Sequence, residues 1–146
     1  MTPAAALERT LHDEIPLSQA MGIRVAAYDG TSLKLTAPLA PNINHKRTAF
    51  GGSLYSLAVL CGWGLLHLKL VEAGLRKHIV IQESNIRYLL PVDQDMQAEC
   101  GLDDAAFKRF LRTLQKHDRA RLSLDVAIKQ SGQAAVEFSG RYVVHG

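Results

Sequence analysis

The sequence predicts an α+β fold in which an antiparallel sheet of about six strands wraps around one long central helix. Two observations carry this. Residues 53–73 are apolar on almost every side, the pattern of a helix buried all round. Six other segments alternate apolar and polar residues, so each has an apolar face that needs a cover, and that helix is the obvious one. With 146 residues, 47% hydrophobic and 21% charged, the chain is long enough to bury a core and is expected to form a single domain, residues 1–146.

The elements follow in order. Leu7, Leu11 and Ile15 recur every four residues, which predicts a short amphipathic helix over 4–14 that Pro16 helps to end, a lid or edge cover. Ile23, Val25 and Ala27 alternate with Arg24 and Ala26, Asp29-Gly30 supplies a hairpin turn, and Leu33, Leu35 and Ala37 alternate with Lys34 and Thr36. Pro38 and Pro41 close the hairpin and lead into a polar loop holding Asn42, Asn44, His45, Lys46, Arg47 and Thr48. Gly51-Gly52 then allows a tight turn before the helical pattern opens at Ser53 and Leu54, and Gly74 is its stop. Gly62 and Gly64 each cost roughly 1 kcal/mol against Ala in a helix interior, which is tolerable where a sheet or partner chain approaches closely. From His78 to Pro91 the pattern is a long strand whose apolar phase shifts around Gln82 to Asn85, the mark of a bulge. Met96 to Leu102 is a further strand. Asp103 or Asp104 caps a helix built on Phe107, Phe110, Leu111 and Leu114. Leu122–Ile128 and Val136–Val144 are the last two strands, joined through Ser131-Gly132.

Composition excludes several classes. The net charge is +3, and the 17 basic residues are spread among 14 acidic ones with few aromatics beside them, which argues against nucleic acid and for an anionic small molecule or protein. Cys61 and Cys100 have no disulfide or zinc spacing, so no metal is expected. The N-terminal stretch has no signal-type apolar core and carries acids early, so a cytoplasmic setting is expected. Ala49 to Leu68 runs twenty residues without a formal charge, the length of a membrane span. The two glycines, Ser53, Tyr55, Ser56 and His67 inside it, and the amphipathic strands on both sides, favour burial in a sheet and no membrane.

The chemistry concentrates at the start of the long helix. A helix that begins on glycines presents bare N–H groups at the positive end of its dipole, which suits a carboxylate, a phosphate or an enolate.

The order helix, hairpin, long helix, four strands is the layout of the hotdog fold. The segments NINHKRTAFGGSLYSLAVLCGWGLL and ESNIRYLLPV resemble the YiiD C-terminal-type domain, a thioesterase-like branch of the hotdog superfamily, and the resemblance covers nearly the whole chain. It implies acyl thioesters of acyl carrier protein or coenzyme A as partners and a homodimer or dimer of dimers. It implies no cofactor, the phosphopantetheine arriving as part of the substrate. Hotdog thioesterases of the phenylacetate type place an Asn six residues before a His-Gly-Gly, then an acid on the first turns of the helix. Laid on this chain, Asn44 takes the Asn position and Gly51 and Gly52 the glycines, but Phe50 stands for the His and Val59 for the acid. The donors of an oxyanion hole are thus kept, in Asn44, Gly51 and Gly52, without a base to activate water. That combination suits decarboxylation of malonyl-acyl carrier protein to acetyl-acyl carrier protein, a step associated with this domain type in initiating fatty-acid synthesis. Thioester hydrolysis is the alternative, and a non-catalytic acyl-thioester-binding module a second.

The same comparison suggests the rest of the site. His45, Thr48, Phe50 and Ser53 would line the substrate, while Glu83, Ser84 and Asn85 would complete the site across a subunit interface, Glu83 being the best substitute for the missing acid. Lys46 and Arg47 would hold the malonyl carboxylate or the pantetheine phosphate. Lys108 and Arg112, on one helix face with Lys116, would dock an acidic carrier. Each has a plainer reading beside it: Asn44 as a turn residue, Thr48 and Ser53 as caps, Glu83 to Asn85 as a polar strand face, the cations as solvated.

Overall fold

A computed structural model describes residues 1–146. Helix α1, Pro3–Glu14, buries Leu7 and Leu11 and is capped by Thr2, whose hydroxyl accepts from the Ala5 N–H at 3.1 Å. Pro16 does more than end it: it occupies the first position of a second short helix, α2, Pro16–Ala20, where its missing N–H costs nothing. Strands β1, Arg24–Tyr28, and β2, Ser32–Ala37, form the expected hairpin. Its turn is fastened by the Asp29 carboxylate, which accepts from the N–H groups of Thr31 and Ser32; these bonds push the Asp29 pKa down to about 2.

Helix α3, Gly51–Glu72, begins two residues earlier than the periodicity suggests, so both glycines lie in its first turn. Strand β3, His78–Tyr88, ends short of Pro91 because the N–H groups of Leu89 and Leu90 both turn to the Ala135 carbonyl. Strand β4, Met96–Gly101, leads to helix α4, Asp104–His117, whose cap is the Asp103 side chain accepting from the Ala106 N–H at 2.7 Å. Strands β5, Arg119–Gln130, and β6, Gln133–His145, form a long hairpin turning on the positive-φ pair Ser131 and Gly132.

The six strands make one antiparallel sheet in the order β1-β2-β4-β5-β6-β3, so β1 and β3 are its edges. Its inner face closes on α3, of which Leu57, Ala58, Cys61, Leu65 and Leu66 are fully buried. By length and composition α3 could cross a membrane, yet 67% of its most apolar stretch is buried inside the fold. Gly62 explains how the sheet comes so near: the ring of Tyr142 on β6 fills the space a side chain would take there, and its hydroxyl donates to the Val59 carbonyl at 2.7 Å. Gly64 plays the same part toward Leu33 and Leu7, whose methyl groups lie 3.1 Å from where a Cβ would sit.

Candidate functional site

The residues between β2 and α3 close into a small laced loop. Phe50 N–H donates to the Asn42 carbonyl at 2.7 Å, Ile43 bridges Ala49, and Asn44 N–H donates to the Thr48 carbonyl at 2.8 Å. His45, Lys46 and Arg47 therefore form an exposed tip, with Arg47 supplying the positive φ of 64° that the turn needs. Buried Asn42 anchors the base by donating to the Met21 and Pro38 carbonyls at 2.9 and 2.8 Å. A further tie runs from Ala49 N–H to the Val92 carbonyl at 2.7 Å.

Asn44 is engaged mainly within this loop. Its Oδ1 accepts from the N–H groups of Lys46 and Thr48 at 2.8 and 3.1 Å, and its Nδ2 donates to Thr48 Oγ1 at 2.9 Å. These are the contacts of a turn residue, and one amide hydrogen of Asn44 has no partner within the chain. Thr48 is the other half of that pair and Ser53 makes no capping bond, so the reading of either as a helix cap is corrected.

The helix start itself is open. Phe50 holds the cap position with extended backbone, no side chain caps the helix, and nothing accepts from the N–H groups of Gly51 and Gly52. Two donors thus stand free at the positive end of a 22-residue helix. Aromatic walls flank them. The Phe50 ring folds back over Gly52, where a Cβ would lie 2.5 Å from it, and the Tyr88 hydroxyl donates to the Gly51 carbonyl at 2.9 Å. One turn along the helix, Tyr55 shares a short hydrogen bond with Ser84 Oγ and meets the Phe138 ring edge-on at 5.7 Å between centroids. Burial, with Tyr55 nearby, pushes the Tyr88 pKa up.

The bulge in β3 decides which strand residues join. Ile79 and Ile81 face α3; the register then slips between Ile81 and Glu83, after which Ser84, Ile86 and Tyr88 face inward. Glu83 and Asn85 consequently lie on the outer face, where Glu83 reaches Arg141 at 3.1 Å. Of the three polar residues expected to act together, the protomer brings only Ser84 to the helix start. Glu83 lies away from the helix start of its own protomer; its expected role is at the helix start of a partner subunit.

No aspartate or glutamate occurs from residue 42 to 71; the segment between β2 and α3 meets one carboxylate, Asp95, which accepts from the Leu39 N–H at 2.8 Å, and none bonds to residues 42–54. Val59 lies on the partly open stripe of α3 that also carries Ser56, Trp63 and His67, so the expected acid position is apolar and half-buried against the core. Lys46 and Arg47 make no ion pair. Lys108 and Arg112 are remote: the first turn of α4 meets the last turn of α3, with Lys69 Nζ 3.5 Å from Asp104 and over the Phe107 ring. A helix of that length separates its two ends by roughly 30 Å. Sequence reasoning missed Tyr55 and Tyr88. Their signal was spacing, Tyr55 lying one turn from Gly51 and Tyr88 sharing the post-bulge phase of Ser84 and Ile86.

Solved structures share this architecture. A protein of unknown function from Chlorobaculum tepidum TLS is 37% identical over 97% of this chain and 93% of that chain, with a TM-score of 0.92. A structure described as a "putative thioesterase" from Shewanella oneidensis is 33% identical over 99% of this chain and 98% of its own, with a TM-score of 0.91. A thioesterase from Haemophilus influenzae, 16% identical over 99% of this chain and 91% of that chain, with a TM-score of 0.75, shares the fold. The family model described as "Putative thioesterase (yiiD_Cterm)" matches residues 4–146, and the chain belongs to that hotdog-fold family.

Proposed function

We propose that this protein acts on acyl thioesters and that its first reaction is decarboxylation of malonyl-acyl carrier protein to acetyl-acyl carrier protein. The observation that carries the proposal is the pair of free N–H donors at Gly51 and Gly52 in a site without a carboxylate. In this reaction the bond between the malonyl C2 and its carboxylate breaks, CO2 leaves, and the electron pair passes into the thioester carbonyl as an enolate. C2 then takes a proton from water. The chemistry asks for donors at the carbonyl oxygen and no base, which is what the helix start offers. The remaining amide hydrogen of Asn44 is a third donor of the same kind. The departing carboxylate loses its charge, so walls of Phe50 and Tyr88 favour its departure, whereas a cation gripping it would oppose it. Lys46 and Arg47 at the solvated tip therefore suit the phosphopantetheine phosphate better than the malonyl group.

Hydrolysis is the second reading, favoured by the family's description as thioesterases. It needs an activated water, and the protomer supplies no carboxylate for that. Mass spectrometry of products from malonyl-carrier protein and an acyl-CoA panel separates the readings. Acetyl-carrier protein is the expected product. Free carrier or CoA thiol would replace decarboxylation with hydrolysis, and unchanged substrate with measurable binding would leave a binding module.

We also propose a homodimer joined through the β3 edges. Of nine exposed large apolar side chains, Ile43, Phe50, Tyr88, Leu89 and Leu90 gather where β3 ends, beside the helix start. Met1, Val71 and Val80 line a groove of about 1090 Å³ where β3 begins, together with Trp63 and His67. Burial pushes the His67 pKa down, so its ring favours the neutral form, while Glu14, Glu72, Arg76 and Lys77 put charge on other parts of the groove. Two-fold antiparallel pairing of β3 with a second β3 lays each patch on the other's groove and keeps both inner faces on one side.

A further inference from the structure

The cations of this chain are not evenly partnered. Lys108, Arg109, Arg112, Lys116, Arg119 and Arg121, all exposed, have no carboxylate within ion-pair reach, whereas eight of the remaining eleven are paired. The acids of the same segment are engaged elsewhere: Asp103 caps α4, Asp104 pairs with Lys69, and Asp118 pairs with Lys77 at 2.7 Å. The four cations on α4 fall on one side of that helix by their spacing, and a face of like charge left uncompensated in this way fits an acidic protein surface. The difficulty is its place, since α4 sits at the end of α3 opposite the free Gly51 and Gly52 donors.

Antiparallel pairing through β3 removes the difficulty. Strand β3 starts beside Lys77, which holds Asp118 at the end of α4, and finishes at Tyr88 on Gly51. Pairing two such strands head to tail carries the partner subunit's α4 end to this subunit's helix start. We infer that an acidic carrier protein docks on the α4 face of one subunit and delivers its acyl thioester to the helix start of the other. This rests on the dimer and on the site proposed above, and it makes every productive encounter an event between subunits.

A heterodimer tests it. One subunit carries K108E and R112E, which removes docking; the other carries Gly51→Pro, which removes a donor while suiting the first position of a helix. The two, differently tagged, are co-expressed and purified through both tags. Delivery between subunits leaves one intact pair of docking face and site, so the expected turnover of malonyl-carrier protein is about half that of the wild-type dimer, while each homodimer is at least tenfold slower. Delivery within a subunit leaves none, and an inactive heterodimer whose circular dichroism and melting match wild type overturns the proposal. The controls assign other failures. A fully active Gly51→Pro homodimer overturns the site, and a fully active, salt-insensitive charge-reversed homodimer overturns the docking face. A wild-type monomer in light scattering overturns the dimer.

Discussion

Gly51 is the residue at which the functional reading is most exposed to test. Its contribution is an N–H group, which no ordinary side-chain replacement removes, and proline is the exception. Phe50 before it has φ −64° and ψ 134°, a conformation that a following proline accepts, and a Cβ at Gly51 meets Tyr88 at an ordinary 3.5 Å. Gly51→Pro should therefore fold normally yet lose about 10²–10³ in turnover, the usual effect of deleting one oxyanion donor. Gly51→Ala, which keeps the N–H, should stay within a few-fold of wild type. Equal loss in both variants would mean that space, not the donor, matters at this position. The glycine pair was legible in the sequence, as was the absence of an acid at Val59. The orientation of Glu83 was not, because a one-residue bulge decides it and composition around Gln82 to Asn85 shows only that the phase breaks.

Among the elements, α3 shows how a helix can be specified by what it lacks. Its apolar residues call for burial on nearly all sides, and Gly62 and Gly64 let strands and α1 press against its backbone. Helix propensity alone says that Gly62→Ala should stabilise the protein by roughly 1 kcal/mol. Packing reverses the sign: an added Cβ would fall within 2.7 Å of the Tyr142 ring, in a side chain that is fully buried. The expected outcome is a net destabilisation of about 1–3 kcal/mol, measured by denaturant titration. Adding Tyr142→Phe should not restore stability, because ring carbons 2.7 and 2.8 Å from the added Cβ still clash and the bond to the Val59 carbonyl is lost. Strand and helix periods made nearly every element legible in advance. The short α2 was not, since Pro16 reads equally as the end of one helix and the start of the next.

For the whole molecule, the question is why so much apolar surface stays uncovered at the two ends of a single edge strand. A free β3 edge offers unpaired backbone groups along its length, and exposed edges of this kind are ordinarily blunted or paired. Here exposed Phe50, Tyr88, Leu89 and Leu90 gather at one end of that strand, and the groove at Trp63, His67 and Val71, which also holds Glu14, Glu72, Arg76 and Lys77, lies at the other. On the dimer proposed above, one two-fold axis would cover the edge, the patch and the groove together. Leu89→Glu with Leu90→Glu introduces like charges into both copies of that contact without touching the core, since both side chains are about 40% exposed. Light scattering at micromolar concentration should show the wild type as a dimer and this variant as a folded monomer. If docking and chemistry belong to different subunits, dissociation should also abolish turnover of carrier-bound substrate in proportion to the monomer formed. A variant that is monomeric and still fully active would separate the helix-start site from the dimer and return delivery to a single chain.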